Sequence, residues 1–543
     1  MFDILIKNGT VIDGTGKPGY RADLGISNGL ISAIGLIGST QSKKYLDAQD
    51  LVVAPGFIDM HSHSDTTMLS DPGGDTKAYQ GVTTEVVGNC SSSPFPVARD
   101  PDLAQYQRST WPFLKADWDW TDLDGWAERL NSSGISLNVV PQVGQGEIRK
   151  AVGLNENRTP SSDEMKQMKR LAVEAIEQGA FSISTGLTIV PSSYASTNEL
   201  VELVKAIAPY EGAFYVTHAR WRTDDHTDAA KEALEIGRRS GVPVQFSHMA
   251  IIDPRAHGRA EEMVSVFEQA RVGGQDATYD MYPYTAAGSS LGQLMPEWSF
   301  QGGITKVLER LREPETRGKI AEETVNGYFG GTPIPWDSYV ISDSSTQFNS
   351  ELIGLTVQEV AHMRGTEPLE TMFELMLEEE DEVSTTVFNR DERDIKFFIS
   401  QEMAMIGSDG YAFSPKGPLA TASGDHKASH ISGKPHPRNY GTYPRVLGRY
   451  VRDLGVISIE DAIKKMTGLP AQRLGLNDRG VLREGNVADI TVFDPERVKD
   501  MATFEAPQQF PVGIPHVFVA GIPIVLDGTH TGATPGMVIR KSY

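Results

Sequence analysis

Short apolar runs alternate with helical stretches through the middle of this 543-residue chain, and this alternation restricts the fold more than any other feature. The runs end in polar residues, and the strand candidates are Leu51–Ile58, Thr83–Val87, Leu137–Gln142, Phe181–Thr185, Phe214–Thr217, Val242–Phe246, Ala277–Asp280 and Ala404–Ser408. Helical segments lie between several of them, namely Ser162–Gln178, Thr227–Arg239 and Glu261–Val272. Alternation with right-handed crossovers indicates a parallel sheet, and eight such units predict an α/β fold with a closed (β/α)8 TIM barrel.

The barrel is predicted to occupy residues 55–474, with an insertion around residues 286–380. This insertion separates the seventh strand candidate from the eighth. Two more segments, Thr385–Phe388 and Ile395–Ile399, are apolar enough to be further strands, so the strand count leaves the topology open.

The two ends of the chain differ from the middle, because short strands there are separated by tight turns. Near the start, Asn8-Gly9 and Asp13-Gly14 mark turns, and the strand candidates are Phe2–Ile6, Thr10–Ile12, Asp23–Ile26 and Leu30–Ile34. Near the end they are Ala488–Phe493, His516–Val519 and Ile522–Leu526. We predict that residues 1–54 and 475–543 pair into one small β-sandwich domain.

Composition excludes several classes of protein. The net charge of −22 argues against general nucleic-acid binding, which needs a basic surface. The one cysteine, Cys90, excludes a disulfide framework within the chain. The first residues lack the pattern of a signal peptide, and no apolar run reaches the roughly 18–20 residues that cross a bilayer. We therefore expect a cytoplasmic protein with neither nucleic acid nor membrane as partner, and the oligomeric state stays open.

Histidines at the ends of strand candidates give the sharpest local signal. In Asp59-Met60-His61-Ser62-His63, the two imidazoles project to the same side because residues i and i+2 of a strand do so. His218, His248 and Asp409 each follow another apolar run. Because a (β/α)8 barrel gathers its active-site residues at the carboxyl ends of its strands, these side chains are predicted to converge on a divalent metal such as zinc.

Cys90 closes the second strand candidate and has two interpretations. A lone cysteine is most often a small buried apolar residue. Alternatively, it is a thiolate that bridges two metal ions, which would keep it deprotonated. Its place at a strand end, between the polar residues Asn89 and Ser91, favours the second interpretation.

Several motifs resemble the N-acyl-D-amino-acid deacylases (D-aminoacylases) of the amidohydrolase superfamily. The resemblance extends over essentially the whole chain. Its motifs are Ile6-Lys7-Asn8-Gly9-Thr10-Val11-Ile12-Asp13-Gly14, Ala54-Pro55-Gly56-Phe57-Ile58-Asp59, Gly88-Asn89-Cys90, Ser184-Thr185-Gly186-Leu187, Asp280-Met281-Tyr282-Pro283-Tyr284, Gly407-Ser408-Asp409-Gly410, His436-Pro437-Arg438, Arg445-Val446-Leu447-Gly448, Lys465-Met466-Thr467-Gly468-Leu469-Pro470-Ala471 and Ala488-Asp489-Ile490.

This resemblance implies a role for each site residue. One metal site would consist of His61, His63, Cys90 and Asp409, and the other of Cys90, His218 and His248. Asp409 would also be the general base and acid, and Arg438 and Tyr282 would bind the carboxylate of the substrate. One or two Zn2+ ions per subunit are implied, because one metal position of the family is often occupied far more tightly than the other.

Three departures from the family pattern affect the predicted substrate more than the predicted reaction. Ala250 stands where many members have a lysine that grips the substrate, so Arg220 or Arg222 would have to supply a cation. Gln145 replaces the histidine of a Gly-His-Gly motif, and Ser91-Ser92-Ser93-Pro94 replaces Gly-Phe-Ser-Pro.

The implied reaction is hydrolysis of the amide bond of an N-acyl-amino acid of D configuration. A metal-bound hydroxide would attack the carbonyl, since a divalent metal lowers the pKa of water to about 7, and Asp409 would move the proton to the leaving nitrogen. The alternatives are an amidohydrolase acting on a cyclic amide, a ureido or carbamoyl compound or a peptide-like amide, and a metal-binding scaffold without turnover.

Other polar residues are expected to be structural. Asp65 and Asn89 are predicted to support the fold, and His436 is assigned no metal. Ala412–His436 is rich in Gly, Ser, Pro and Lys and is predicted to form a mobile lid. Surface or structural histidines are His226, His257, His362, His426, His430, His516 and His530.

Overall fold

The structure is a computed structural model that describes residues 1–38, 41–109, 111, 118–221, 225–344, 349–380, 383–421 and 433–543. The strands near the start of the chain are β1 (Phe2–Val11), β2 (Tyr20–Ser27), β3 (Leu30–Gly35), β4 (Ser42–Asp47) and β5 (Val52–Pro55). They are followed by β6 (Phe57–Asp59), β7 (Val82–Val87), β8 (Asn138–Pro141), β9 (Val143–Gly144), β10 (Ser182–Gly186), β11 (Phe214–His218), β12 (Val244–Phe246) and β13 (Ala277–Met281). The last strands are β14 (Ala287–Ser290), β15 (Tyr339–Ile341), β16 (Ser384–Val387), β17 (Ala404–Ile406), β18 (Ile490–Phe493), β19 (His516–Val519), β20 (Ile522–Leu526) and β21 (Thr529–His530).

The helices connect these strands. In the first half of the chain they are α1 (Thr67–Ser70), α2 (Asp75–Ala78), α3 (Pro101–Ser109), α4 (Leu123–Ser133), α5 (Gln145–Ala151), α6 (Ser162–Glu177), α7 (Thr197–Val204), α8 (Asp228–Ser240) and α9 (Ala260–Val272). In the second half they are α10 (Ile304–Arg312), α11 (Pro314–Gly327), α12 (Val357–Arg364), α13 (Pro368–Glu379), α14 (Glu392–Ser400), α15 (Pro418–Thr421), α16 (Arg438–Arg445), α17 (Ile459–Met466) and α18 (Gly468–Leu474). A π-helix over Val446–Asp453 continues α16.

Parallel strands form a closed ring in the middle of the chain. The pairing runs β6-β7-β8 and then β9-β10-β11-β12-β13-β17, with β8 and β9 separated only by Gln142. The ring closes where β17 returns to β6, because the backbone N–H of Asp409 donates to the carbonyl of His61 at 2.7 Å and Ser62 pairs with Gly410 in parallel. The predicted α/β fold with a parallel barrel is therefore confirmed.

Neighbouring residues of the barrel strands point into different apolar clusters. Ile58, Val86 and Met405 share one small cluster, whereas the residues beside them, such as Phe57 and Val87, belong to the large cluster that includes the surrounding helices. Both faces of these strands are therefore buried, which explains why they appear in the sequence as continuous apolar runs.

Strands from both chain ends form one sheet beside the barrel. Nine described strands take part, in the order β21-β20-β19-β18-β5-β1-β2-β3 with β4 on β1. The pairing of β18 with β5 joins the two ends in one β-domain, as predicted, whereas the domain bounds 1–54 and 475–543 stay a prediction. The candidate Leu51–Ile58 is two strands, because Gly56 divides it into β5 of this domain and β6 of the barrel.

A second apolar core lies in the region predicted as an insertion. It runs from Leu291 to Val387 and packs α10–α13 around the three-stranded sheet β14-β16-β15. Thr385–Phe388 therefore contributes β16 to this sheet and not to the barrel. Ile395–Ile399 is not a strand but part of α14, whose first turn is capped by the Asp391 carboxylate. Within the described ranges, the helices are too short or too polar to cross a bilayer.

Candidate active site

The six predicted metal-binding residues lie together at one end of the barrel. Parallel strands place their carboxyl ends on the same side, and each residue ends a barrel strand or follows one closely. They are His61 and His63 after β6, Cys90 after β7, His218 at the end of β11, His248 after β12 and Asp409 after β17.

Four of these side chains form the first group. The Asp409 Oδ1 atom lies 2.9 Å from His63 Nε2 and 3.5 Å from His61 Nε2, and the Cys90 Sγ atom lies 3.3 Å from the same His61 nitrogen. Their ligand atoms all lie within 4.8 Å of one another.

The second group shares the Cys90 sulfur. Its Sγ atom lies 3.6 Å from His218 Nδ1 and 3.6 Å from His248 Nε2. The other ring nitrogen of His218 lies 2.6 Å from the Thr188 hydroxyl, which fixes the orientation of the ring. Imidazole nitrogens, a thiolate and a carboxylate at these separations could hold a divalent metal in each group, with Cys90 between the two.

The backbone is left-handed at three of these residues. The φ angles are +51° at Cys90, +37° at His248 and +54° at Asp409, and +70° at the neighbouring Ser91. Residues other than glycine adopt such angles at a cost, and they cluster at functional sites where the surroundings enforce them. The turn after each strand therefore aims these side chains into the barrel mouth.

Charge inside the cluster favours the deprotonated forms of the thiol and the carboxyl. Burial by itself raises the pKa of Cys90, but the charge of His61 and hydrogen bonds from His218 and His248 bring that pKa well below its ordinary value. Burial likewise raises the pKa of Asp409, and the Arg438 guanidinium and a hydrogen bond from His63 bring it well below the usual range. Thiolate and carboxylate are the forms that bind a metal.

Asp280 supports the histidines, a role that its sequence motif did not predict. Its Oδ1 atom lies 3.2 Å from His61 Nδ1 and accepts the backbone N–H of His248 at 2.8 Å. Its Oδ2 atom accepts a hydrogen bond from Gln245. Asp280 lies within β13, and its place near the end of an apolar run, like that of Asp409, was the signal that could have revealed this contact.

A fully buried charge network lies beneath the first group. The Lys77 ammonium lies 2.6 Å from the Asp59 carboxylate and 3.4 Å from Glu85, and it also donates to the Ser408 hydroxyl. The Asp59 carboxylate accepts the backbone N–H groups of His61 and Ser408. Lys77 therefore ties β6, β7 and the turn after β17 together just below the candidate ligands. No local sequence pattern predicts this network.

Arg438 and Tyr282, the predicted carboxylate-binding residues, lie beside Asp409. Arg438 Nη1 donates to Asp409 Oδ2 at 2.6 Å, and its guanidinium carbon lies 4.9 Å from the centre of the Tyr282 ring. The Tyr282 hydroxyl is buried and has no hydrogen-bond partner among the described residues. Gly288 of β14 leaves room for this arginine, because a Cβ there would lie 3.2 Å from Arg438 Nη2.

A second arginine, which was not predicted from the sequence, lies over the same ring. The guanidinium carbon of Arg390 is 4.0 Å from the centre of Tyr282. Arg220, by contrast, is committed elsewhere, since it donates to the carbonyls of Ser193 and Ala195 and pairs with Glu232. Arg222 lies outside the described residues.

The remaining candidates lie outside the metal groups. His436 Nε2 lies 2.9 Å from the carbonyl of Ala286, and its ring packs against Tyr282 and Tyr284. Asn89 donates to two backbone carbonyls, and burial raises the pKa of Asp65 to about 7. His426, His430 and residues 422–432 of the predicted lid lie outside the described residues.

Comparisons with known proteins agree with this geometry. The model of the amidohydrolase family matches residues 44–280 and 422–525. D-aminoacylase of Alcaligenes xylosoxydans xylosoxydans is 34% identical over 100% of this chain and 98% of its own length, and N-acyl-D-aspartate deacylase of the same organism is 32% identical over 99% and 95%.

A solved structure also covers the whole fold. The N-acyl-D-glutamate deacylase of Bordetella bronchiseptica, complexed with zinc and a phosphonate inhibitor, superposes with a TM-score of 0.80 at 29% identity and covers 99% of this chain and 100% of that one. The full-length similarity extends over the barrel, the β-domain and the insertion. The chain therefore belongs to the amidohydrolase family, among the D-aminoacylases and N-acyl-D-amino-acid deacylases.

Proposed function

We propose that the protein is a zinc-dependent deacylase that hydrolyses the amide bond of N-acyl-D-amino acids. The observation that carries this proposal is the convergence of four imidazoles, one thiol and one carboxyl at the barrel mouth, with the Cys90 sulfur common to both groups. The D configuration rests on the named activities of the relatives. The cytoplasmic location stays a prediction.

The donor chemistry fits zinc. His61, His63, Cys90 and Asp409 would hold one ion, and Cys90, His218 and His248 the other, with one or two ions per subunit. Bound there, zinc supplies a Lewis acid and lowers the pKa of water enough to give a nucleophile at neutral pH. Asp409 is the residue that receives the proton of the attacking water and delivers it to the leaving nitrogen, for which its low pKa provides the ionised starting state.

Arg438 has two tasks in this proposal. It binds the substrate carboxylate, for which its planar guanidinium offers paired hydrogen bonds, and the Tyr282 hydroxyl adds a donor. It also holds Asp409 at 2.6 Å, so that the carboxylate of the substrate and the proton-transferring carboxylate are fixed by one side chain.

A substrate panel tests the proposal. Zinc-loaded protein is assayed against N-acetyl-D-amino acids, the L enantiomers, N-carbamoyl-D-amino acids and hydantoins. Release of the free amino acid from the N-acetyl-D compounds, at rates at least tenfold above the other compounds, is expected. Preferential hydrolysis of hydantoins or N-carbamoyl compounds would contradict the proposed substrate class. If none of these compounds is hydrolysed, the proposal that the protein is an enzyme of this class is contradicted.

A further inference from the structure

Two positively charged side chains lie over one tyrosine ring at the edge of the metal groups. The guanidinium carbons of Arg390 and Arg438 are 4.0 and 4.9 Å from the centre of the Tyr282 ring. They approach from different parts of the chain, because Arg438 begins α16 and Arg390 follows β16 of the insertion. Their common neighbour Tyr282 follows β13 of the barrel.

The charges around this ring do not balance. Asp409 lies next to the pair, but its Oδ2 atom is hydrogen-bonded to Arg438 and its Oδ1 atom faces His63 and His61. In the described part of the chain, no carboxylate lies within 4 Å of the Arg390 guanidinium nitrogens. The Arg390 Nε atom is buried without a hydrogen-bond partner, and so is the Tyr282 hydroxyl.

Stacking on a ring does not explain this arrangement by itself. Arg390 is the exception among the described arginines that lie over aromatic rings, since each of the others has a carboxylate partner. These pairs are Arg317 with Glu370, Arg438 with Asp409, Arg445 with Asp500, Arg449 with Glu392 and Arg473 with Asp276. A partly buried cation without a counterion is unfavourable, so the position of Arg390 calls for an anion that the chain itself does not supply.

The backbone holds Arg390 in this place. Its N–H donates to the carbonyl of Thr285 at 3.2 Å, three residues after Tyr282. Asp391, the next residue, caps α14 through its carboxylate. The segment is thus attached both to the loop that carries Tyr282 and to a barrel helix, which fixes the guanidinium next to the site.

We propose that Arg390 is a specificity-determining residue that, together with Arg438 and the Tyr282 hydroxyl, binds the carboxylate of the substrate. This inference rests on the proposed deacylase function. Arg390 supplies a cation that is free to pair with the substrate, whereas Arg438 has to divide its hydrogen bonds between the substrate and Asp409. A two-cation site favours an acid over its neutral amide more strongly than Arg438 alone would.

The test compares an acid with its neutral counterpart. KM and kcat of zinc-loaded wild-type protein and of Arg390→Met are measured with N-acetyl-D-leucine and with N-acetyl-D-leucinamide. We expect KM for the acid to rise about tenfold in Arg390→Met, with KM for the amide within about twofold of wild type. Arg390→Lys, which keeps the charge, should restore most of the preference for the acid.

Arg393→Met is the matched control, because Arg393 lies on the same segment, pairs with Asp391 and has an exposed side chain. It should leave both KM values unchanged. An equal rise of KM for acid and amide in Arg390→Met, or no rise for either, would overturn the proposal. Thermal melting of each variant separates a loss of binding from a loss of folding, and Arg390→Lys decides the question if Arg390→Met does not fold.

Calorimetry separates this inference from the proposed reaction. N-methanesulfonyl-D-leucine has the carboxylate but no scissile carbonyl, and its primary amide is the neutral control. Tighter binding of the acid by wild type, weakened about tenfold in Arg390→Met, supports the carboxylate site even if the protein hydrolyses no N-acyl-amino acid. Equal binding of acid and amide by wild type, or equal binding of the acid by wild type and Arg390→Met, would refute it.

Discussion

The two halves of the candidate site are built in different ways. The metal groups come from the carboxyl ends of barrel strands, where local rules of strand geometry already bring the side chains together. The carboxylate half, formed by Tyr282, Arg390 and Arg438, comes from a strand end, the insertion and a helix start that meet only in the folded chain. We infer that the metal groups determine the reaction and that the carboxylate half determines which substrates bind.

Asp409 belongs to both halves, and its substitution is expected to have the largest effect. Asp409→Asn keeps the shape but removes the proton acceptor, so kcat should fall by about 10²–10⁴-fold while zinc content stays close to wild type. Steady-state kinetics and metal analysis measure both. Asp253→Asn is the control, because that carboxylate is also buried but pairs with Arg255. If zinc disappears together with the activity, Asp409 is chiefly a ligand.

Lys77 tests whether the metal half depends on the network beneath it. Lys77→Met leaves the Asp59 and Glu85 carboxylates buried without their cation, which should lower the free energy of unfolding by about 3–5 kcal/mol. Chemical denaturation of the holoprotein measures the loss. The double variant Lys77→Met/Asp59→Asn removes one of the stranded charges and should recover part of it. Unchanged stability of Lys77→Met would show that the network is dispensable.

Cys90 tests whether the two metal groups are one unit. Because its sulfur is within 3.6 Å of histidines from both groups, Cys90→Ala should weaken zinc binding at both, by about 100-fold or more. Metal analysis after dialysis against a zinc buffer measures the number of zinc ions bound per subunit. His516→Ala, which removes a buried histidine of β19, should retain its zinc. A wild-type zinc stoichiometry in Cys90→Ala would show that Cys90 is a buried packing residue and not a metal ligand.

Substitution of Arg438 is expected to have the smallest effect of the four, and it tests whether the two halves of the site are coupled. Arg438→Gln should raise KM for acids about tenfold. It should also move the acidic limb of the kcat/KM profile to higher pH, because the pKa of Asp409 rises when the guanidinium that lowers it is removed, and the base must be ionised to act. Arg445→Gln on the same helix, where the arginine pairs with Asp500, is the control. A pH profile identical to wild type would contradict the coupling.

The sequence predicted the fold where the pattern is local. Each barrel strand appeared as an apolar run, because strands buried on both faces need no polar alternation. The division of Leu51–Ile58 at Gly56 was not predicted, since it depends on a close approach: a Cβ at Gly56 would lie 2.2 Å from the Thr83 hydroxyl oxygen. Ile395–Ile399 was left open as a possible strand, because a short apolar run fits a strand and a buried helix equally well, and the structure places it in α14.

The residues of the candidate site also differ in whether the sequence predicts them. His61, His63, Cys90, His218, His248 and Asp409 could be placed together because each follows a predicted strand. Lys77 and Arg390 could not, because a charged residue looks like a solvent-facing residue until its partner is known. Lys77 meets Ser408 331 positions further along the chain, and the ring beneath Arg390 is 108 positions before it (390 − 282), so no window of sequence contains either contact.

The sheet that joins the two chain ends has a consequence for the order of events during translation. β1 and β5 leave the ribosome before the barrel does, yet β18, the partner of β5 on its other side, is made more than four hundred residues later. At about 5–20 residues per second, the early strands wait for tens of seconds with an unpaired edge. The nascent chain is therefore expected to need protection of its first strands until synthesis has passed Phe493, while the barrel between them closes first.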